Sequence, residues 1–222
     1  MGNVVSECGI KIYYGRESMK RISCATIIVA LFLMVLAATG ITDGKERGSR
    51  PSSSTVSHAS ATPKPSIDSG RLEKKIHDLV NEERTKRRIP ALRWNEQLNR
   101  ISRRYSNDMA ARAFFSHSDP EGRSFMDRYR EEGFVCKLKV GNATCFGAEN
   151  IAQDTLCRSV TYLDGIPTYS WNSEDEIARS VVKMWMGSKG HRENILTPYF
   201  RQQAIGIAVS DDGKVYVTEN FC

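Results

Sequence analysis

Three short segments concentrate the residue types that do chemistry. They are Phe115-Ser116-His117-Ser118-Asp119-Pro120-Glu121-Gly122, then Gly147-Ala148-Glu149-Asn150-Ile151-Ala152, then Trp185-Met186-Gly187-Ser188-Lys189-Gly190-His191-Arg192-Glu193-Asn194-Ile195-Leu196. Two of the four histidines in the chain fall here, beside turn residues that bring side chains to a surface cleft. His117, Glu149 and His191 together offer two imidazoles and a carboxylate. That set suits a divalent metal such as zinc and would leave one position open for water. There is no H-E-x-x-H, so the three must converge from separate segments rather than from one helical turn. Ser116 and Ser188 stand near the histidines and could supply a nucleophile, but neither sits in a G-x-S-x-G elbow. The same three residues could equally form a buried hydrogen-bonded network that fixes loops and catalyses nothing.

The elements that must position these residues are legible from periodicity. Leu72, Ile76, Leu79 and Val80 predict an amphipathic helix over 71–88, stopped at Pro90. Asn95 caps a second helix with Leu98, Ile101, Tyr105 and Met109 on one face, running to about Phe114. Ser124 to Glu132 reads as a third, ended at Gly133. Ser173 and Glu176 form a capping box for a fourth, whose buried stripe is Ile177, Val181, Met184 and Trp185. Ile205, Ile207 and Val209, an Asp212-Gly213 turn, then Val215 and Val217 predict a β-hairpin. Helices followed by an antiparallel hairpin indicate an α+β domain with helices packed on a small sheet.

The rest of the chain sets the context. Of its 222 residues, 40% are hydrophobic and 26% charged, which excludes a wholly disordered chain. Ile22 to Ile41 carries no charge and follows Lys20 and Arg21, so 1–42 reads as a signal peptide or a single membrane anchor. Read from Met19 instead of Met1, the chain has the usual short basic start of such a segment. Residues 43–70 contain eight serines and three prolines and read as a linker or an O-glycosylated stalk. Residues 71–222 are the expected folded domain. Its four cysteines, Cys136, Cys145, Cys157 and Cys222, suit disulfides in an exported protein. Of the three pairings we favour Cys136–Cys145 with Cys157–Cys222. Asn142-Ala143-Thr144 is an N-glycosylation pattern. The net charge of +6 is uneven. Arg84–Arg104 holds +7, residues 1–42 hold +2, and the remainder is −3. That segment could meet an anionic surface or be a solvated face. There is no nucleic-acid-binding motif.

Taken in order, the three segments and the closing hairpin resemble the CAP superfamily, or SCP domain, over about residues 72–221. The likeness is closest to its prokaryotic extracellular branch: F-S-H-x-D-P-x-G, G-x-E-N-I, then W-x-x-S-x-G-H-R-x-N-I-L. The resemblance implies an α-β-α sandwich with a small antiparallel sheet between helices and a central cleft. It places His117, Glu149 and His191 at that cleft. Where eukaryotic members carry W-x-x-E, this chain has Trp185-x-x-Ser188, so the second carboxylate is missing, and Glu193 is the nearest substitute. The resemblance implies an extracellular protein that binds a lipid, a peptide or a divalent metal. A metal-assisted or serine hydrolase is the alternative, and a purely structural module is the third reading. The Cys157–Trp171 segment, rich in aromatic and aliphatic residues, reads as a loop that could rim a ligand groove or pack as a satellite cluster.

Overall fold

A computed structural model describes residues 63–222. Met19, the apolar run at 22–41 and most of the Ser/Pro segment lie outside the described residues. Among the described residues no helix is long and apolar enough to cross a membrane.

Local chemistry starts each helix. The Asp68 carboxylate accepts from Arg71 N and opens α1 (Ser69–Thr85). The Asn95 side chain accepts from Leu98 N and opens α2 (Glu96–Ala111). Capping boxes at Ser124/Asp127 and Ser173/Glu176 open α3 (Phe125–Glu131) and α4 (Glu174–Gly187). A fifth helix, α5 (Lys189–Leu196), follows at once. The first helix closes earlier than Pro90 requires. Arg88 takes φ +61°, and Ile89 N returns to Arg84 O, which is a left-handed exit ahead of the proline.

The strands are β1 (Arg93–Trp94), β2 (Leu138–Val140), β3 (Ala143–Cys145), β4 (Ala148–Thr155), β5 (Cys157–Leu163), β6 (Ile166–Trp171), β7 (Gln202–Val209) and β8 (Lys214–Phe221). The predicted hairpin is β7–β8, with Ile207 opposite Val217. It sits inside a four-stranded sheet of order β1-β7-β8-β4. Helices α1, α4 and α5 cover one face around Leu72, Ile76, Trp185, Ile205 and Val217. Helix α2 covers the other through Leu98, Ile101, Tyr105 and Met109. With both faces covered, Tyr216 and Thr218 are as buried as Val215 and Val217, with which they alternate. The α-β-α sandwich and the α+β class are therefore observed.

Helix α2 lies almost on the sheet. A Cβ on Gly206 would come 2.1 Å from Arg103 N and Ser102 C. Small polar side chains fill the interface. Ser106 Oγ donates to Gly206 O at 2.8 Å, and Asn220 Nδ2 donates to Ser102 Oγ at 2.8 Å. The sheet edges are closed by side chains rather than by strands. On β7, Asn99 Nδ2 donates to Ile205 O, and Ile207 N donates to Glu73 Oε1. On β4, Trp185 Nε1 donates to Ile151 O and Asn194 Nδ2 to Glu149 O. An unpaired buried backbone group is costly, and these contacts remove that cost.

Both favoured disulfide pairings are corrected. Cys136 is bonded to Cys222, with Cα atoms 5.6 Å apart. Cys145 faces Leu138 in the β2–β3 register, so Cys136 lies past the end of that ladder. The end of β8 instead arrives beside Cys136, in the apolar cluster that holds Phe125 and Tyr129. Cys145 and Cys157 are not free either. The Cys157–Trp171 segment is also not a loop. It is the β5–β6 hairpin, turned at Asp164 (φ +50°) and Gly165 (φ +79°), with Tyr169 and Trp171 stacked at 5.4 Å.

The cationic segment is compensated in space. Arg87 pairs with Glu83, Arg103 with Glu73 and Arg104 with Glu132. Arg84 is buried and donates to the carbonyls of Pro90, Ile195 and Thr197, which closes the end of α5.

Two outcomes follow. Gly206→Ala should destabilise the domain by about 3 kcal/mol, the upper end of overpacking, because backbone rather than a flexible side chain blocks the new methyl. Urea denaturation measures it, and a wild-type midpoint would contradict this packing. Peptide mapping without reduction should recover a Cys136–Cys222 cross-link. Cys136→Ser should then cost about 4 kcal/mol, as expected for so long a closed loop.

Candidate functional site

The site forms where α3, the Ser116–Asp119 segment, β4 and α5 meet. Glu149 is on β4 with its carboxylate on the α2 side of the sheet, almost wholly buried. His117 Nδ1 lies 3.1 Å from Glu149 Oε1. A carboxylate only accepts, so Nδ1 carries the hydrogen in this bond. Arg128 Nη2 donates to the other oxygen, Oε2, at 2.7 Å. The same guanidinium donates to Arg123 O and His117 O and lies 3.3 Å over the Tyr105 ring. Tyr105 in turn donates its hydroxyl to Ser116 O at 2.5 Å, which holds the His117 segment to α2. The His191 ring is 6.0 Å from that of His117, centroid to centroid.

A second polar layer lies on the opposite face of β4. Asn150 Nδ2 donates to His191 O at 3.2 Å and to Glu219 Oε2 at 2.9 Å. Asn194 Nδ2 donates to Asn150 Oδ1 at 2.9 Å as well as to Glu149 O. The two asparagines thus fasten α5, and with it His191, to the strand that carries Glu149. Glu219 is fully buried, and burial pushes its carboxyl up to about 8. Burial, with His117 beside it, lowers His191 to about 4, so its imidazole is neutral at physiological pH.

The structure therefore brings His117, Glu149 and His191 together. Ser188 stands at the α4–α5 junction, where its hydroxyl does not cap α5. Glu193 runs along α5 toward Lys189 at 4.0 Å. Ser116 Oγ accepts from Ser118 N within its own turn. As arranged, the residues do not fit a divalent metal. Both Glu149 oxygens are engaged, one of them by a permanent cation. Among the described residues no group of three or more His, Cys, Asp or Glu side chains is placed to hold a metal ion.

Sequence reasoning missed Arg128 and Glu219, and it quoted Asn150 and Asn194 without the partners the structure gives them. One signal for Arg128 was present. It lies on the buried stripe of α3 with Phe125 and Tyr129, and a charge on such a stripe needs a partner. No signal marked Glu219, since strand alternation places it but does not say what lies above it.

The sequence model of CAP, described as the cysteine-rich secretory protein family, matches residues 77–221. The chain is 30% identical over 149 residues to the uncharacterized protein YkwD of Bacillus subtilis (strain 168). That match covers 67% of this chain and 46% of the relative, so the chain spans about half the length of the curated relative it matches. Its fold is similar to that of an outer surface protein from Borrelia burgdorferi, with a TM-score of 0.51 and 16% identity over 70% of this chain and 94% of that one. An extracellular protein containing a SCP domain from Bacillus anthracis str. Ames gives 0.49 and 25%, over 69% and 40%.

The two perturbed groups predict a pH profile. The folded pKa of His191 lies below its ordinary 6.5, so its contribution is present above 6.5 and lost as pH falls toward 4. The folded pKa of Glu219 lies above its ordinary 4.5, so its contribution is present below 4.5 and lost as pH rises toward 8. The slopes oppose each other between 4.5 and 6.5, and above 6.5 only the Glu219 slope remains. Stability should therefore fall between pH 6.5 and 8. Glu219→Gln, which keeps an acceptor for Asn150, should flatten that decline and raise stability at neutral pH in denaturation measured across pH. An unchanged slope in the variant would refute the assignment.

Proposed function

Because the chain belongs to the cysteine-rich secretory protein (CAP) family, we propose that it is an exported ligand-binding domain. Its cleft at His117, Glu149 and His191 receives a lipid or a peptide. Export is supported by the buried Cys136–Cys222 disulfide, which belongs in an oxidising compartment. The exposed Asn142, at the tip of the β2–β3 turn, is an accessible glycosylation acceptor.

One observation carries the binding assignment. Glu149 is held between His117 and Arg128, while burial keeps His191 neutral. The cleft therefore recognises by fixed, directional hydrogen bonds from pre-positioned groups, at little ordering cost on binding. Hydrolysis would need a nucleophile bonded to the His117–Glu149 pair. The hydroxyl of Ser116, next to His117 in sequence, is turned to backbone.

The test uses the full chain purified without denaturant. Denaturing extraction and mass spectrometry should find a co-purifying lipid or peptide. His191→Ala should retain about tenfold less, the equivalent of one net hydrogen bond. Turnover of an ester or peptide library that disappears in His117→Ala, with no ligand retained by the wild type, would overturn the proposal in favour of a hydrolase.

A further inference from the structure

The β5–β6 hairpin supplies none of the cleft residues, yet it carries an apolar tip. We propose that this tip seats in the headgroup–acyl boundary of a lipid bilayer, the same bilayer that the apolar run at 22–41 enters. The inference rests on reading that run as a membrane segment. It does not depend on what the cleft binds.

The tip is built for a surface without charge. Tyr162, Leu163 and Ile166 are 46%, 74% and 53% exposed, three of the seven large apolar side chains that are exposed among the described residues. All three surround the turn at Asp164 and Gly165. Leu163 and Ile166 are cross-strand partners and share one face, while Tyr162 and Pro167 share the other. A two-stranded hairpin is marginal in water by itself and gains from a surface against its apolar side chains. Among the described residues no third strand joins it. Pro167 removes a backbone donor from β6, which guards that edge against a further strand, so side chains are left to make the contact. Between Arg158 and Trp171 the sole charged residue is Asp164, in a chain that is 26% charged. So bare a stretch does not suit a charged partner. Tyr162, Tyr169 and Trp171 are of the two ring types that settle at headgroup level. Asp164 stays hydrated among the headgroups and limits insertion to shallow depth.

The way the chain enters the domain points to this occupant. Lys64 Nζ donates to Asp211 O at the β7–β8 turn, and Asp68 N donates to Glu174 Oε1 at 3.1 Å. The hairpin is rooted at the same end, since Leu156 N donates to Gly213 O and Asn172 N to Leu156 O. The 22 residues from 42 to 63 separate the apolar run from this point. They reach at most about 75 Å, so the hairpin root stays near whatever membrane holds that run. Tyr199 is also exposed, but it precedes β7, and the eight residues of that strand put it about 25 Å from the β7–β8 turn.

The test uses the full chain with vesicles of phosphatidylcholine, ordinary or brominated on the acyl chains, and reads tryptophan emission. Flotation reports vesicle binding, and circular dichroism establishes folding. Leu163→Trp should lose emission in the brominated vesicles beyond the change seen in wild type. Tyr199→Trp, an equally apolar position at the far end of the sheet, should show no such loss. Adding Ile166→Asp to Leu163→Trp should restore the emission. High salt should leave the loss unchanged, because the contact is apolar. A chain that floats with Leu163→Trp unquenched, or with positions 163 and 199 quenched alike, overturns the proposal. An unquenched but blue-shifted emission at 163, reversed by Ile166→Asp, assigns the tip to a protein partner and overturns it too. A chain that does not float overturns both this proposal and the membrane reading of 22–41, so the two failures are told apart.

Discussion

The outer edge of β4 is the constraint on which the rest of this structure depends. It is the last strand of the sheet, and its free side carries backbone carbonyls that have no strand to accept from. Trp185 from α4 and Asn194 from α5 donate to those carbonyls, at Ile151 and Glu149. An edge closed this way cannot recruit a further strand. It also cannot be closed without bringing α5 against β4. His191 is on α5 and Glu149 is on β4, so closing the edge and bringing these two residues together are one event.

A second dependence runs through buried charge. Glu73, Arg84, Arg128, Glu149 and Glu219 are all buried in a domain of ordinary size. Each is tolerated because of particular partners. Arg84 closes the carbonyl end of α5, Glu73 takes Ile207 N and Asn99, and Arg128 neutralises Glu149. Such groups add little net stability relative to apolar replacements, but losing one partner strands the other. They fix which helix meets which strand at a level apolar contacts leave loose. Helix α2 adds the complementary device, since its serines and Gly206 allow a backbone approach that larger side chains would prevent.

The helices were legible because their signals are local. Asn95, Ser124 and Ser173 each start a helix through a side chain acting within one turn, and chain order did not matter. The β7–β8 hairpin was legible for the same reason. The edge strand β4 was not, because its residues are paired by β8, some 60 positions away, and mostly buried on both faces. The cysteines failed in the same manner. Proximity along the chain favoured Cys136–Cys145, whereas the ends that meet are set by where β8 stops. The Asp164-Gly165 turn was a local signal present in the sequence, but the segment was read as an ordered loop rather than as two strands joined by that turn. Of the cleft, the three motif residues were legible through family resemblance. Their partners Arg128, Asn150 and Asn194 needed the fold, since each acts across elements.

The coupling of edge and cleft is open to one direct measurement. Asn194→Ala removes one of the two asparagine side chains that join α5 to β4 without touching either imidazole. The titration of His191 is then followed by NMR in the wild type and in the folded variant. If α5 is held against β4 by this residue, His191 titrates near 4 in the wild type and moves up toward its ordinary 6.5 in the variant as the cleft admits water. A variant whose His191 still titrates near 4 would show that the burial of His191 does not depend on this edge contact.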